Sequence, residues 1–305
     1  MEHALRLDGV VKRYGEMTAV DGLGFQVAPG EVFGFLGGNG AGKTTSLRMV
    51  LDIIRPDAGS IEVLGGPPGR EVGPKLGFLP EERGLYRSMT AIDTVTYFGR
   101  LKGMGARDAR ATGMALLERF GLGQFAKTGI AKLSKGMAQK VQLATAVVNS
   151  PELLILDEPF SGLDPVNQGL LEDEIVRAAH GGAAVVFSTH VMQHAERLCD
   201  RLLLLAKGRK LFEGTQDEAR DTLPAQLEIV SRDDPATLDG VTEVHRREAR
   251  DGWSVWDVQL APGRDPGDVL EACTAQGFAL RRFETRRPSL HDTFLHIVGS
   301  AEARP

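Results

Sequence analysis

Val32-Phe33-Gly34-Phe35-Leu36 runs straight into Gly37-Gly38-Asn39-Gly40-Ala41-Gly42, and Lys43-Thr44 follow at once. An unbroken apolar run of strand length belongs inside a sheet covered on both faces. The glycines read as a tight turn that no bulkier residue would allow. Beyond it Leu47, Val50, Leu51 and Ile54 recur at i, i+3, i+4 and i+7, so one helical face is expected over these residues. Strand, glycine turn and helix form the opening of a βα unit, and that strand requires parallel neighbours. Leu153 to Leu156 and Ala184 to Phe187 are two more runs of the same kind. From about Glu2 to Gly214 such runs alternate with helical patterns, which predicts an α/β fold on a largely parallel sheet.

Gly37 through Thr44 matches the pattern G-x-x-x-x-G-K-[ST]. Its chemistry follows from the order of residues. Glycines let backbone N–H groups close around phosphate oxygens without a Cβ in the way. A helix starting near Gly42 points its positive end at the same charge. Lys43 is then placed to neutralise β- and γ-phosphates, and the Thr44 hydroxyl to hold Mg²⁺. The nucleotide contacts are assigned to Gly37, Asn39, Gly40, Ala41, Gly42, Lys43, Thr44 and Thr45. A dinucleotide site is excluded, because the glycines do not form G-x-G-x-x-G with a later acidic ribose partner.

A second constellation lies far along the chain. Leu153-Leu154-Ile155-Leu156 ends in Asp157-Glu158. A buried parallel strand delivers such residues to the carboxyl edge of the sheet, where ligands bind. Two adjacent carboxylates there are costly unless a cation or a proton transfer uses them. Asp157 is therefore assigned to Mg²⁺, and Glu158 to orienting or deprotonating an attacking water.

Between these strands, from about Thr90 to Asn149, the pattern is helical, with Thr90 and Ser134 as candidate caps. After about Arg220, Pro224, Pro235, Pro262 and Pro266 break the chain into short alternating segments. Trp256, Val258 and Leu260 share one strand face, and Asp251-Gly252 is a hairpin signal joining that strand to one near Val241 to Glu248. Helices are expected over Asp268 to Gln276 and Ser289 to Val298. The whole is read as residues 1–218, with a helical insertion at about 88–149, and a small α+β domain at 219–305.

The bulk numbers agree with a globular chain. Of 305 residues 42% are hydrophobic and 25% charged, so a core can form. A net charge of −5 gives no basic field to attract nucleic acid, and none is expected as a partner. Cys199 and Cys273 have no metal spacing, and a reduced compartment suits them. No run approaches the roughly 20 apolar residues of a membrane span. Any membrane role has to come through a partner.

Together these residues resemble the ABC ATPase family. Leu133-Ser134-Lys135-Gly136-Met137 stands where its LSGGQ signature falls, Ser161-Gly162-Leu163-Asp164 looks like its D-loop, and Ser188-Thr189-His190 carries its switch histidine. Tyr14 looks like the aromatic platform for adenine. In isolation Ser134 reads as a helix cap, His190 as one of seven histidines and Tyr14 as a strand-end aromatic; their order along two-thirds of the chain carries the resemblance. It implies a P-loop NTPase core with a helical subdomain, and ATP and Mg²⁺ held at a head-to-tail dimer interface. Ser134, Gly136 and Asp164 would contact nucleotide there, and His190, catalytic with Glu158 and Lys43, would contact the γ-phosphate. It also implies a transmembrane permease partner and a cytoplasmic place on the inner face of the membrane. Soluble ABC ATPases acting on nucleic acid or ribosomes are the alternative, but the paired cassettes, coiled coils or zinc cysteines usual there are missing.

The sequence departs from the family pattern in places. Lys135 and Met137 replace a glycine and the glutamine of the signature, and Gly38 stands where proline is common. Glu81 stands where the family places a glutamine, and as a carboxylate it is assigned to Mg²⁺. Leu79-Pro80-Glu81-Glu82-Arg83-Gly84-Leu85-Tyr86, Leu133 to Gly136, and Pro288-Ser289-Leu290 to Phe294 are similar to ATP-binding subunits of ABC-2 type exporters. Members of that group carry a small carboxy-terminal domain.

Overall fold

The computed structural model describes residues 2–82 and 84–302, so Arg83 of the Leu79–Tyr86 stretch lies outside the described residues. The chain divides into two compact units between Gly214 and Thr215.

The first unit opens with β1 (Leu5–Tyr14), β2 (Met17–Val27), β3 (Val32–Leu36), α1 (Lys43–Val50), β4 (Ala58–Val63) and β5 (Leu76–Leu79). Three helices follow, α2 (Ala91–Leu101), α3 (Ala106–Arg119) and α4 (Lys135–Val147). The unit closes with β6 (Leu153–Asp157), α5 (Pro165–His180), β7 (Ala184–Thr189), α6 (Met192–Leu198), β8 (Arg201–Ala206) and β9 (Arg209–Thr215). Six strands form the central sheet in the order β5-β6-β7-β3-β8-β9. Its pairs β5–β6, β6–β7, β3–β7 and β3–β8 are all parallel. All five residues of β3 and of β6, and all six of β7, are buried, as the unbroken apolar runs require. The order brings the carboxyl ends of β6, β7 and β3 side by side, and the site is built there.

A second sheet, β2-β1-β4, is antiparallel and was not part of the sequence expectation. It packs on the central sheet through Phe25, whose ring stacks on Phe33 with centroids 5.2 Å apart and planes 5° from parallel. The register of β1 against β2 slips at Leu7/Val10 and again at Val10/Lys12. Those bulges erase the strict alternation that would have marked the strand.

One expectation is corrected. The helix after the glycine turn stops at Val50, so Ile54 is not on it. Leu51 is its cap and Asp52 takes φ 54, a left-handed conformation that ends a helix. Aspartate tolerates that region better than most residues, so no glycine advertises the stop. Leu51 and Ile54 still pack against the core from the turn, which is why their apolar character mimicked a helical face.

The insertion is mainly helical and contains no strand among the described residues, and Thr90 and Ser134 are caps as read from the sequence. Thr90 Oγ1 accepts from Asp93 N at 3.2 Å, and Ser134 Oγ accepts from Met137 N at 3.2 Å. Among the described residues no helix is long and apolar enough to cross a membrane.

The second unit contains α7 (Gln216–Arg220), β10 (Gln226–Ser231), β11 (Val241–Arg250), β12 (Trp253–Leu260), α8 (Pro266–Ala275), β13 (Leu280–Arg286) and α9 (Leu290–Glu302). Its sheet runs β11-β12-β10-β13, antiparallel throughout. Asp251 (φ 53) and Gly252 (φ 78) close the hairpin between β11 and β12 with the mirror-image turn their sequence predicts. Trp256, Val258 and Leu260 are buried on one face, against Val269 and Cys273 of α8. That helix starts two residues before the expected Asp268, because Asp265 accepts from Gly267 N at 2.6 Å and Pro266 suits the first turn.

Candidate functional site

β3 ends at Leu36 and the chain turns through Gly37 to Gly42 into α1. Two of these positions admit only glycine. A Cβ on Gly37 would lie 2.4 Å from the carbonyl oxygen of Leu205, and one on Gly42, where φ is 107, would lie 2.5 Å from that of Ala19. The turn is therefore pressed against β8 and β2. Gly42 caps α1 with no side-chain acceptor, and no acidic residue occupies the first turn. The first N–H groups of the helix stay available to an anion.

Lys43 is buried, and its Nζ donates to Gly37 O at 2.7 Å and to Gly38 O at 3.3 Å, folding the side chain back over the turn. The same Nζ lies 3.2 Å from Glu158 Oε1. That oxygen accepts no hydrogen bond among the described residues, so the ion pair is its sole compensation. The other carboxylate oxygen, Oε2, lies 2.9 Å from His190 Nδ1. Glu158 has φ 45, a left-handed conformation that costs any residue carrying a Cβ. It is held by its N–H, which donates to Ser188 Oγ at 2.9 Å, while Ser188 Oγ donates to Asp157 Oδ1 at 2.6 Å. Ser188 thus stitches the carboxyl end of β7 to that of β6 and orients both acids.

A cavity of about 720 Å³ opens over this arrangement. Its walls include Tyr14, Asn39, Gly40, Ala41, Gly42, Lys43, Thr44, Thr45, Glu81, Glu158 and His190. These residues come from β1, the glycine turn, the start of α1, the loop after β5 and the segments that follow β6 and β7. Tyr14 is 46% exposed at one side of the cavity, and Lys12 Nζ lies over its ring, 5.6 Å from the centroid. Gly37 and Asp157 lie beneath the lining rather than in it. Met17, Thr18, Ala19, Lys207 and Gly208 also line the cavity and were not read from the sequence. The Lys207-Gly208 turn joins β8 to β9 and is pinned by Gly208 N donating to Ala41 O at 3.0 Å and Asp21 N donating to Gly208 O at 2.9 Å. Its only sequence mark is a glycine after an apolar run.

Ser134, Gly136 and Asp164 do not line this cavity. They form a group of their own. Ser134 caps α4, and Asp164 caps α5 by accepting from Asn167 N at 3.0 Å, a bond that lowers the carboxyl pKa. A Cβ on Gly136 would meet Asn167 Nδ2 at 3.1 Å, so the two caps are neighbours.

The candidate donors to a cation are all oxygens: Thr44 and Glu81 line the cavity, while Asp157 is buried with its Oδ1 accepting from Ser188 Oγ. Oxygen donors suit a hard ion such as Mg²⁺. Among the described residues no three His, Cys, Asp or Glu side chains converge tightly enough to hold a metal by themselves.

Comparison with known proteins points the same way. Residues 20–161 match the family model "ABC transporter", and residues 216–298 match "ATP-binding protein DrrA1-3-like, C-terminal domain". The chain is 39% identical to the uncharacterized ABC transporter ATP-binding protein YhaQ of Bacillus subtilis (strain 168), over 97% of this chain and 99% of that one. It is 44% identical to the Nod factor export ATP-binding protein I of Paraburkholderia xenovorans (strain LB400), over 98% of each. The solved ATP-binding subunit of an ABC transporter superposes with a TM-score of 0.68 at 29% identity, over 72% of this chain and 92% of that one. A glycine cradle, an acid pair at the adjoining strand end and a relationship that spans nearly the full length make this chain a member of the ATP-binding subunits of ABC transporters, and an ATPase.

Proposed function

We propose that the chain hydrolyses MgATP between two copies of itself to drive export through a separate permease of the ABC-2 type, on the inner face of the membrane. The observation that carries the reading is the division of the site. Lys43, Glu158 and His190 meet in one cavity, while Ser134, Gly136 and Asp164 lie outside its lining. In a head-to-tail dimer, Ser134 of the partner subunit closes over the γ-phosphate held by Lys43, and the amino-terminal end of the helix behind it adds to the grip. Tyr14 stacks on adenine. Thr44, Asp157 and Glu81 would hold Mg²⁺, which would supply neutralisation of charge on the phosphoryl oxygens. Glu158 orients the attacking water and His190 fixes the carboxylate. Loss of the γ-phosphate removes the bridge between the subunits, and they part.

The export direction is supported by the Nod factor relative, by the DrrA-like match of the second unit and by the Leu79–Tyr86 and Leu133–Gly136 segments. The test is joint. Phosphate release from MgATP should rise with the square of subunit concentration at low concentration, and affinity-tagged chain should bring down a hydrophobic membrane protein from solubilised membranes. Turnover independent of self-association, or recovery with ribosomes or nucleic acid instead, refutes the proposal.

A further inference from the structure

We infer that Gln142 is a positioning residue for Glu81, acting from the helix whose amino-terminal cap is Ser134; the inference rests on the hydrolytic reading above. Gln142 lies on α4 and is 4% exposed. A primary amide so deeply buried has to be satisfied by specific partners. Its Nε2 donates to Pro80 O and to Glu82 O, each at 3.3 Å. Those two carbonyls flank Glu81, so a single amide grips the backbone on both sides of the residue assigned to the metal.

Three residues earlier, Gln139 Nε2 donates to Pro159 O at 3.0 Å, just beyond Glu158. Residues three apart share one helical face, so α4 presents both amides toward the two acid-bearing loops. Glu81 and Glu158 line the main cavity, and both also line a second one of about 300 Å³ shared with Lys135, Gln139 and Gln142. Glu81 and Glu158 are thus common to both cavities, and α4 lines only the second. Movement of α4 at its Ser134 end carries Gln142 with it, and the aim of Glu81 changes. This gives the signature segment a hold on the acids of its own subunit, in addition to the nucleotide of the other.

The test is a double-mutant cycle on the full chain, read by steady-state phosphate release. Gln142→Met preserves length and apolar bulk but cannot donate. Alone it should lower kcat about tenfold or more, with KM for MgATP within about twofold of wild type, as expected for a misplaced group. In a Glu81→Ala background the same substitution should change kcat less than about twofold, because the group it aims is already gone. Gln142→Asn keeps the polarity but withdraws the amide by one methylene, and it should reproduce the pattern if the methionine variant does not fold. Wild-type kcat in Gln142→Asn, or an undiminished loss on the Glu81→Ala background, overturns the inference. Absence of hydrolysis by the wild-type chain would strike the proposed function instead.

Discussion

Glu158 Oε2 and His190 Nδ1 lie 2.9 Å apart at the ends of neighbouring parallel strands, while Glu158 Oε1 faces Lys43 Nζ at 3.2 Å. One carboxylate is thus shared by the cation expected to hold phosphate and by the imidazole. Glu158→Gln keeps the shape and the Lys43 contact but cannot accept a proton. Turnover should fall by about a hundredfold or more, the usual cost of losing a positioned base. ATP affinity should persist, and size-exclusion chromatography with MgATP should show a trapped dimer. Undiminished phosphate release would remove Glu158 from the role. His190→Ala should also slow turnover, yet add little to Glu158→Gln, because both remove one unit.

Tyr14 gives a separate handle on affinity. Stacking of a base on an aromatic ring contributes about 1–3 kcal/mol, and about 1.4 kcal/mol is tenfold. Tyr14→Ala should therefore raise KM for ATP by about tenfold or more at nearly constant kcat, and Tyr14→Phe should stay within about twofold. Equal KM values for the alanine variant and the wild type would show that the base lies elsewhere in the cavity.

The two segments that meet at the candidate site were legible because each is a local pattern. Gly37 to Thr44 and Leu153 to Glu158 are contiguous runs whose chemistry is dictated by spacing, and the sheet order places them together. Lys207 and Ala19 were illegible for the opposite reason. They reach the cavity only because the β8–β9 turn is bonded to Ala41, a relation between distant segments. Gln142 reads in sequence as an ordinary polar helix residue, and only its 4% exposure and its two carbonyl partners separate it from a solvated one. The overlong first helix failed on a single backbone dihedral, that of Asp52. The antiparallel sheet failed on bulges in β1.

Lys102 supplies a pH-dependent stability term on the alkaline side. It caps α2, and its Nζ bonds Leu76 O of β5 and Asn149 Oδ1, joining the helical insertion to the central sheet. Burial pulls its pKa from 10.5 down to about 8. Between those values the unfolded chain keeps a proton that the folded chain has released, so stability rises with pH through this window. The full term is about 3 kcal/mol, and it opposes folding below pH 8. In chemical denaturation, the difference between wild type and Lys102→Met should shift in favour of wild type from pH 8 to pH 10.5. A difference independent of pH would show that the ammonium is solvated.

The second unit should show the reverse dependence on the acid side. Glu228 is buried mid-strand on β10, with Arg282 Nη1 2.9 Å from Oε1, Arg286 Nη2 2.6 Å from Oε2, and Arg247 bonded to Oε2 as well. Desolvation raises its pKa, but the three guanidinium groups outweigh that and hold it below the usual 4.5. A depressed carboxyl contributes stability that is fully present above the unfolded value and disappears as pH falls through the folded one. Arg247 lies on β11, Arg282 and Arg286 on β13, so the carboxylate ties both edge strands to the middle of the sheet. Protonation should therefore loosen the edges first. Amide hydrogen exchange in β11 and β13 should accelerate as pH drops below about 4.5, after correction for intrinsic exchange. Glu228→Gln should show that acceleration already at neutral pH, with little further change on acidification. Edge-strand protection that is equal in wild type and variant at neutral pH would assign the cohesion of the sheet to its apolar face alone.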